Sequence, residues 1–422
     1  MKVRLLEGNE MYRAWLVQTV AFEGSMDFQK QKEKCEAMTP EELAAFSGPQ
    51  STEAPHLPSD PFRKTKCWAA LSDDESQIYG CMNIYTYTAN FDGQQILMGG
   101  IGGVSTLPSF RRGGVIRSCM TAALEDMYDC GYTFSFLYPF SRAYYRQFGF
   151  ESGPRTCTWT IQMEALKPQK IAGSVEQLFP GDDLSPLTEI YNQFYQPYNL
   201  AVVRKQYDPE LTVEKLLQEQ RYVYVWRNDQ GEPRGFFIAK KAEKRQMDCN
   251  TTFWLKNGFL ALDAQACHAM LHFIRNTFSA DYDSITFTVP ENIHLERLIA
   301  EENKTQCTVQ LNGMARIVNV QKALEMCKCR GDGSLCIQVE DSVLPQNHAV
   351  WRLHFSTEAP NQVEKTDSPA DITLSIGDLT SLLCGMRDSD DISYMPEVTI
   401  HNPAAPLEQV FYRKPCHVME LF

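Results

Sequence analysis

The stretch Met98-Gly99-Gly100-Ile101-Gly102-Gly103-Val104-Ser105-Thr106-Leu107-Pro108-Ser109-Phe110-Arg111-Arg112-Gly113-Gly114-Val115-Ile116-Arg117 reads as strand, turn and helix. Pro108 ends the extended segment, Arg111, Arg112, Gly113 and Gly114 form a compact basic turn, and residues 115–128 carry an apolar face at helical spacing. The N–H groups that open such a helix lack partners within it and carry roughly half a positive charge. Phosphate is a natural ligand there. Glycine lets the main chain approach a pyrophosphate closely, and Arg111, Arg112 and Arg117 add charge. The same residues also read as an ordinary strand-to-helix turn with solvated arginines, and the turn alone leaves both readings open.

The residues downstream favour the phosphate. The helix stops near Cys130-Gly131, a strand follows over 132–138, Pro139 ends it, and a short helix over 142–148 leads into Gly149-Phe150. This order resembles the GCN5-related N-acetyltransferase (GNAT) family. Arg111-x-x-Gly114-x-Ile116 matches its acetyl-CoA pyrophosphate motif, and Tyr145-Arg146-Gln147-Phe148-Gly149-Phe150 matches its tyrosine four residues before a Gly-Phe pair. Ile116 departs from the Gly or Ala of most members and points to a subfamily.

With 422 residues the chain has room for two to four domains at roughly 150 residues each. A net charge of −13 argues against nucleic acid or an anionic membrane as main partner and suits cationic amines, although acidity also serves solubility. The amino terminus turns polar at Glu7, unlike a signal peptide, and no apolar run is long enough for a bilayer. The 14 scattered cysteines suit a reduced, cytoplasmic setting.

Before the opening stretch, helices are expected over 10–22 and 27–38, a proline-rich passage to residue 63, and strands over 67–71, 78–88 and 95–106. In the GNAT family the early helical region covers the acceptor site. Glu23, Asp27 and Glu33 are therefore candidates to meet a cationic substrate, against the simpler reading of exposed helix charges.

Between about 156 and 305 the order strand, helix, strand, proline, helix recurs: 259–262, 264–277, 284–289, Pro290 and a further helical stretch. Where the first copy has Arg111 to Gly114, the second has Asp263-Ala264-Gln265-Ala266, without glycine or arginine for a pyrophosphate. The position matching Tyr145 is Glu296. The copy reads as a duplicate without cofactor chemistry. His268 and His272, one helical turn apart, and the Cys327, Cys329, Cys336 group lack further ligands at usual offsets, so no metal is expected.

From 306 onward mixed strands and helices end in an apolar tail, similar to sterol carrier protein domains. The whole chain resembles the enhanced intracellular survival (Eis-like) acetyltransferase family, on the two motifs above, on the run from Ala315 and Arg316 to Glu325, and on the terminal Phe422. The expected fold class is α/β with mixed sheets: a catalytic GNAT domain at 1–155, a degenerate GNAT-like domain at 156–305 and a sterol-carrier-like α+β domain at 306–422.

The resemblance implies acetyl transfer from acetyl-CoA to primary amines of aminoglycoside-like or polyamine-like molecules, or of lysine. It also implies a homo-oligomer, specifically a hexamer, and a Phe422 carboxylate that reaches the first domain's active site. Family members commonly have a third arginine at Gly113, which puts one phosphate contact in doubt. The chemistry suits these residues. A phenol with pKa of about 10, at Tyr145, matches a thiolate leaving group, and a terminal carboxylate of about 3.5 can take the amine proton directly or through water. Backbone N–H groups at Val104, Ser105 and Thr106 can polarise the carbonyl. With Arg111, Arg112, Gly113, Gly114, Val115, Ile116 and Arg117 they form the expected cofactor site. The rival reading is a lipid or acyl-CoA carrier without acetyl transfer.

Overall fold

The computed structural model describes all residues except 43–64, 168–169, 171, 205–211, 242–244, 251–257 and 421–422. Its described residues fall into two compact units that interleave along the chain: Met1–Gly153 with Gly313–Lys414, and Pro154–Asn312 with the tail segment 415–420.

Unit 1 opens with β1 (Lys2–Leu5), α1 (Met11–Ala21) and α2 (Phe28–Glu36), then the antiparallel strands β2 (Thr65–Leu71), β3 (Ile78–Phe91) and β4 (Gln94–Thr106). After α3 (Val115–Asp129) come β5 (Phe134–Leu137), α4 (Arg142–Arg146) and β6 (Glu151–Ser152). Met120, Ala123, Leu124 and Met127 of α3 are buried with Ile84, Ile101 and Leu137 of the sheet. The 3.6-residue apolar period on α3 therefore meets one face of the pleat.

Unit 2 contains the strands β7 (Arg155–Gln162), β8 (Ser174–Gln177), β9 (Arg221–Arg227), β10 (Pro233–Lys241), β11 (Gln246–Asp248), β12 (Phe259–Ala261), β13 (Ser284–Pro290) and β14 (Thr305–Leu311). Its helices are α5 (Ser185–Tyr195), α6 (Val213–Gln218) and α7 (Ala264–Phe278). The strands form one sheet in the order β14-β7-β13-β11-β10-β9-β8, with β12 paired to β10. β14 crosses the expected boundary at 305/306 and pairs with β7 from Thr305 to Leu311. The helix expected after Pro290 is only a 3-10 turn, Glu296–Leu298.

The chain then returns to unit 1 as β15 (Met314–Ile317) and α8 (Val320–Met326). The carrier-like sheet follows: β16 (Gly333–Glu340), β17 (Ala349–Phe355), β18 (Gln362–Lys365), β19 (Ile372–Ser375), α9 (Ile376–Leu383) and β20 (Thr399–Ile400), in the order β18-β17-β16-β19-β20. β15 does not join it. It enters the first sheet between β5 and β6, giving β1-β2-β3-β4-β5-β15-β6.

The tail is built into unit 2. Asn199 donates its N–H to Pro415 O and accepts from His417 N (2.8 and 3.0 Å), while Asn312 Nδ2 donates to Val418 O. The fully buried His417 ring stacks on Tyr195 with centroids 5.4 Å apart, and burial lowers its pKa from 6.5 to about 3. The unfolded chain takes up this proton as pH falls through 6.5, whereas the folded chain resists until about 3. Stability is therefore expected to fall with pH across that window, with a slope approaching about 1.4 kcal/mol per pH unit, and to be flat above it as far as this group is concerned. Denaturation of wild type and His417→Phe across the window checks this. Equal slopes would exonerate His417.

Candidate active site

β4 pairs with β5 in parallel only from Met98 to Ile101. Beyond Ile101 the two strands part, and the β5 side of β4 from Gly102 to Thr106 has no strand partner among the described residues. The register with β3 shifts in the same place: Cys81 faces Ser105 and Asn83 faces Gly102, so Gly103 and Val104 together oppose Met82. This bulge re-aims the backbone. Gly103 adopts φ +60, and a Cβ on it would lie 2.7 Å from Gln18 Nε2. A splayed strand edge of this kind presents main-chain donors and acceptors to an extended ligand.

The edge leads into the basic turn. Phe110 anchors the turn by stacking on Tyr79, centroids 4.0 Å apart. Arg112 (φ +66) and Gly114 (φ +75) are left-handed, and Gly114 occupies the N-cap of α3 without any side-chain cap. The first N–H groups of α3 thus remain for an outside acceptor. Val115 and Ile116 turn their side chains into the core, so only their backbone N–H groups are available to a cofactor. Gly113 is exposed, as are Arg111 and Arg112, which have no acidic partner among the described residues. Arg117 donates to Gln147 Oε1 at 2.5 Å and its guanidinium lies 5.5 Å from the Phe148 ring centre. It links α3 to the turn after Tyr145.

Tyr145 belongs to the same core cluster as Ile101, Leu137, Val115 and Phe150, and is 2 % exposed. Burial, with the neighbouring Tyr144, pushes its phenol well above the ordinary value, so it keeps its proton at neutral pH. Phe140, 75 % exposed, sets its ring 5.5 Å from that of Tyr145. Ser105 is buried, its hydroxyl donating to Gly103 O at 3.1 Å, while Val104 and Thr106 are half-buried. Phe422 lies outside the described residues.

The three acceptor candidates are exposed and, for two of them, locally engaged. Asp27 caps α2 by accepting from Lys30 N (3.1 Å), Glu33 accepts from Gln29 Nε2 (2.7 Å), and Glu23 sits at φ +54 after α1. Sequence reading passed over Asn83, buried beside the bulge, whose Oδ1 has no hydrogen-bond partner among the described residues. Nothing in an isolated Asn in a strand signals that position.

In unit 2 the corresponding helix start is already filled. Asp263 caps α7, its Oδ1 accepting from Ala266 N (2.8 Å) and its Oδ2 from Arg234 Nε (2.8 Å). A carboxylate thus stands where a phosphate would bind. The cleft beside it is an apolar cavity of about 320 Å³ lined by Phe194, Leu262, Cys267, Val289 and Leu295. His268 and His272 lie with ring centres 4.2 Å apart, and Cys327 Sγ is 3.8 Å from Cys329 Sγ. Among the described residues no group of three or more His, Cys, Asp or Glu has metal-binding geometry.

Known proteins give this arrangement its class. Residues 44–153 match the acetyltransferase (GNAT) domain and residues 320–418 the sterol carrier protein domain. The chain carries a GNAT acetyltransferase domain, whose enzyme class is N-acetyltransferase, and a C-terminal sterol carrier protein domain. Over its whole length it has the Eis-like architecture of tandem GNAT domains followed by the carrier domain. It shares this fold with a probable N-acyltransferase from Enterococcus faecalis (TM-score 0.80, 20 % identity, 100 % of this chain and 99 % of that one). Eis1 from Mycobacterium abscessus is also similar (0.75, 18 %, 100 % of each chain), as is a GCN5-related N-acetyltransferase from Anabaena variabilis (0.77, 18 %, 100 % of each). No curated protein matches the sequence. No described helix is long and apolar enough to cross a membrane.

Proposed function

We propose that unit 1 transfers the acetyl group of acetyl-CoA to a primary amine of a small cationic acceptor, aminoglycoside-like or polyamine-like, or of lysine. One observation carries this: the free edge of β4 runs directly into an uncapped helix N-terminus, with a protonated tyrosine in the same core cluster. The N–H groups at the start of α3, with Arg111 and Arg112, hold the pyrophosphate. The β4 edge holds the extended arm, and N–H groups from Val104 to Thr106 orient the acyl carbonyl. Acetyl-CoA supplies the activated acyl thioester. Tyr145 gives its phenolic proton to the departing sulfur, and the Phe422 carboxylate, by family resemblance, removes the amine proton. The same resemblance supports a hexamer, and the 14 scattered cysteines suit a cytoplasmic setting.

Arg111→Ala combined with Arg112→Ala is expected to weaken acetyl-CoA about tenfold or more by removing two charge-assisted contacts. kcat at saturation should change little. Calorimetric titration with acetyl-CoA reads it, and unchanged affinity would relocate the phosphate site.

Free-thiol release from acetyl-CoA against polyamines, aminoglycosides and lysine peptides tests the function. Release with one amine class identifies the acceptor. Binding of acetyl-CoA without release under any amine would favour a carrier.

A further inference from the structure

We propose that Arg316 is a positioning residue for acyl transfer, fixing the turn that carries Tyr145 and thereby making the sterol-carrier half of unit 1 a brace for the general acid. This rests on reading Tyr145 as that acid.

Arg316 lies in β15 and is completely buried. Its Nη1 donates to the carbonyl of Phe148, and its Nη2 donates to Asp341 Oδ2 at 2.6 Å. The Phe148 carbonyl belongs to the turn closed on Tyr145 itself: Tyr145 O accepts from Phe148 N (3.0 Å) and from Phe150 N (3.4 Å). One guanidinium therefore grips this turn at one end and the carrier half at the other.

Both ends are held by further contacts. Asp341 Oδ2 also accepts from Asn347 Nδ2 (3.0 Å), and Oδ1 accepts from Val343 N and Leu344 N (3.0 and 3.1 Å). Asn347 in turn donates to Val318 O and accepts from Val320 N, immediately after β15. Ile317 N donates to Thr380 Oγ1 of α9 at 2.9 Å. On the Tyr145 side, Gly149 has φ +75, and a Cβ there would stand 2.5 Å from both Arg316 Nη1 and Ile376 Cγ2. The glycine of the Gly-Phe pair is thus required by the approach of the guanidinium as well as by its own backbone angle.

A buried ion pair is a poor way to gain stability, since apolar residues of similar size usually serve as well. What an apolar residue cannot do is make two directional bonds at a fixed angle. The planar guanidinium does this, and an ammonium does not. The arrangement suits registration of two elements, and the element registered holds the reacting phenol.

Arg316→Lys keeps the cation and removes the fork, and Asp341→Asn weakens the anchor while leaving the fork. Each is assayed in the full chain with acetyl-CoA and with the acetyl thioester of an aryl thiol, whose less basic thiolate needs less help from an acid. For Arg316→Lys, kcat with acetyl-CoA is expected to fall by about ten- to a hundredfold, since a misplacement of about 1 Å can cost about 10²-fold. The acetyl-CoA KM should move less than about twofold, because the phosphate site is elsewhere. With the aryl donor the defect should shrink several-fold, as it should for Tyr145→Phe measured alongside. An equal loss with both donors, or a loss confined to KM, overturns the positioning role. If Tyr145→Phe shows the donor dependence and Arg316→Lys does not, the acid assignment stands and the brace falls. If Tyr145→Phe has no defect, both fall. Should Arg316→Lys not fold, the same donor comparison on Asp341→Asn decides.

Discussion

Tyr145→Phe is expected to lower kcat for acetyl transfer by roughly 10²- to 10⁴-fold, the usual worth of a positioned general acid. Acetyl-CoA binding should be unchanged. The thiol of the leaving group is a weak acid, and expelling it as a free thiolate is the step a phenol relieves. Burial holds the Tyr145 pKa above that of an ordinary tyrosine. The proton is therefore present throughout the neutral range, and a rate loss through ionisation of Tyr145 is not expected until pH is well above about 10. The ring packs against Tyr144, Phe140 and Phe150, so removing only the hydroxyl leaves those contacts in place. Thiol release by both proteins with one active amine, beside calorimetric acetyl-CoA affinity, is the measurement. A variant with wild-type kcat would remove Tyr145 from the chemistry.

The second large effect concerns stability. Arg204 and Glu420 form an ion pair with side chains 3 % and 0 % exposed. Tyr191 OH donates to the same carboxylate oxygen at 3.3 Å, and Arg204 also lies over the Tyr191 ring at 4.3 Å. Arg204→Met leaves a buried carboxylate without its cation, which typically costs about 3–5 kcal/mol. Replacing both, as Arg204→Met with Glu420→Met, should restore most of that loss, since an apolar pair of similar volume is often neutral. Urea denaturation, with hydrogen exchange in α5 and the tail, distinguishes these outcomes. A double variant as unstable as the single one would show that packing, not charge, is responsible.

The first strand-turn-helix-strand was legible because each step is local. Pro108, Gly114 and Pro139 punctuate it, and the α3 period runs from residue to residue along one helix. The Asp263 cap at the start of the matching helix in the second copy was legible for the same reason. The added finding is that this carboxylate caps the helix and pairs with Arg234, which lies 29 residues away. Arg117 shows what a motif leaves open: the basic turn suggests a phosphate contact, and the structure adds contacts of its side chain with Gln147 and Phe148.

The sequence by itself determined the strand-turn-helix-strand of the first unit, the uncapped helix start at Gly114, the tyrosine before Gly149-Phe150 and the carrier-like character of the C-terminal part. These are encoded in turn residues and in apolar periods that need no distant partner. Only the tertiary structure decided that β4 and β5 part beyond Ile101, that β14 belongs to the second sheet, and that β15 enters the first sheet with Arg316 behind the turn that carries Tyr145. A four-residue strand such as Met-Ala-Arg-Ile carries almost no pairing information. Its partners β5 and β6 lie more than 160 residues earlier, and the choice among sheet edges is made by burial of all four side chains and by the hydrogen bonds Arg316 finds there.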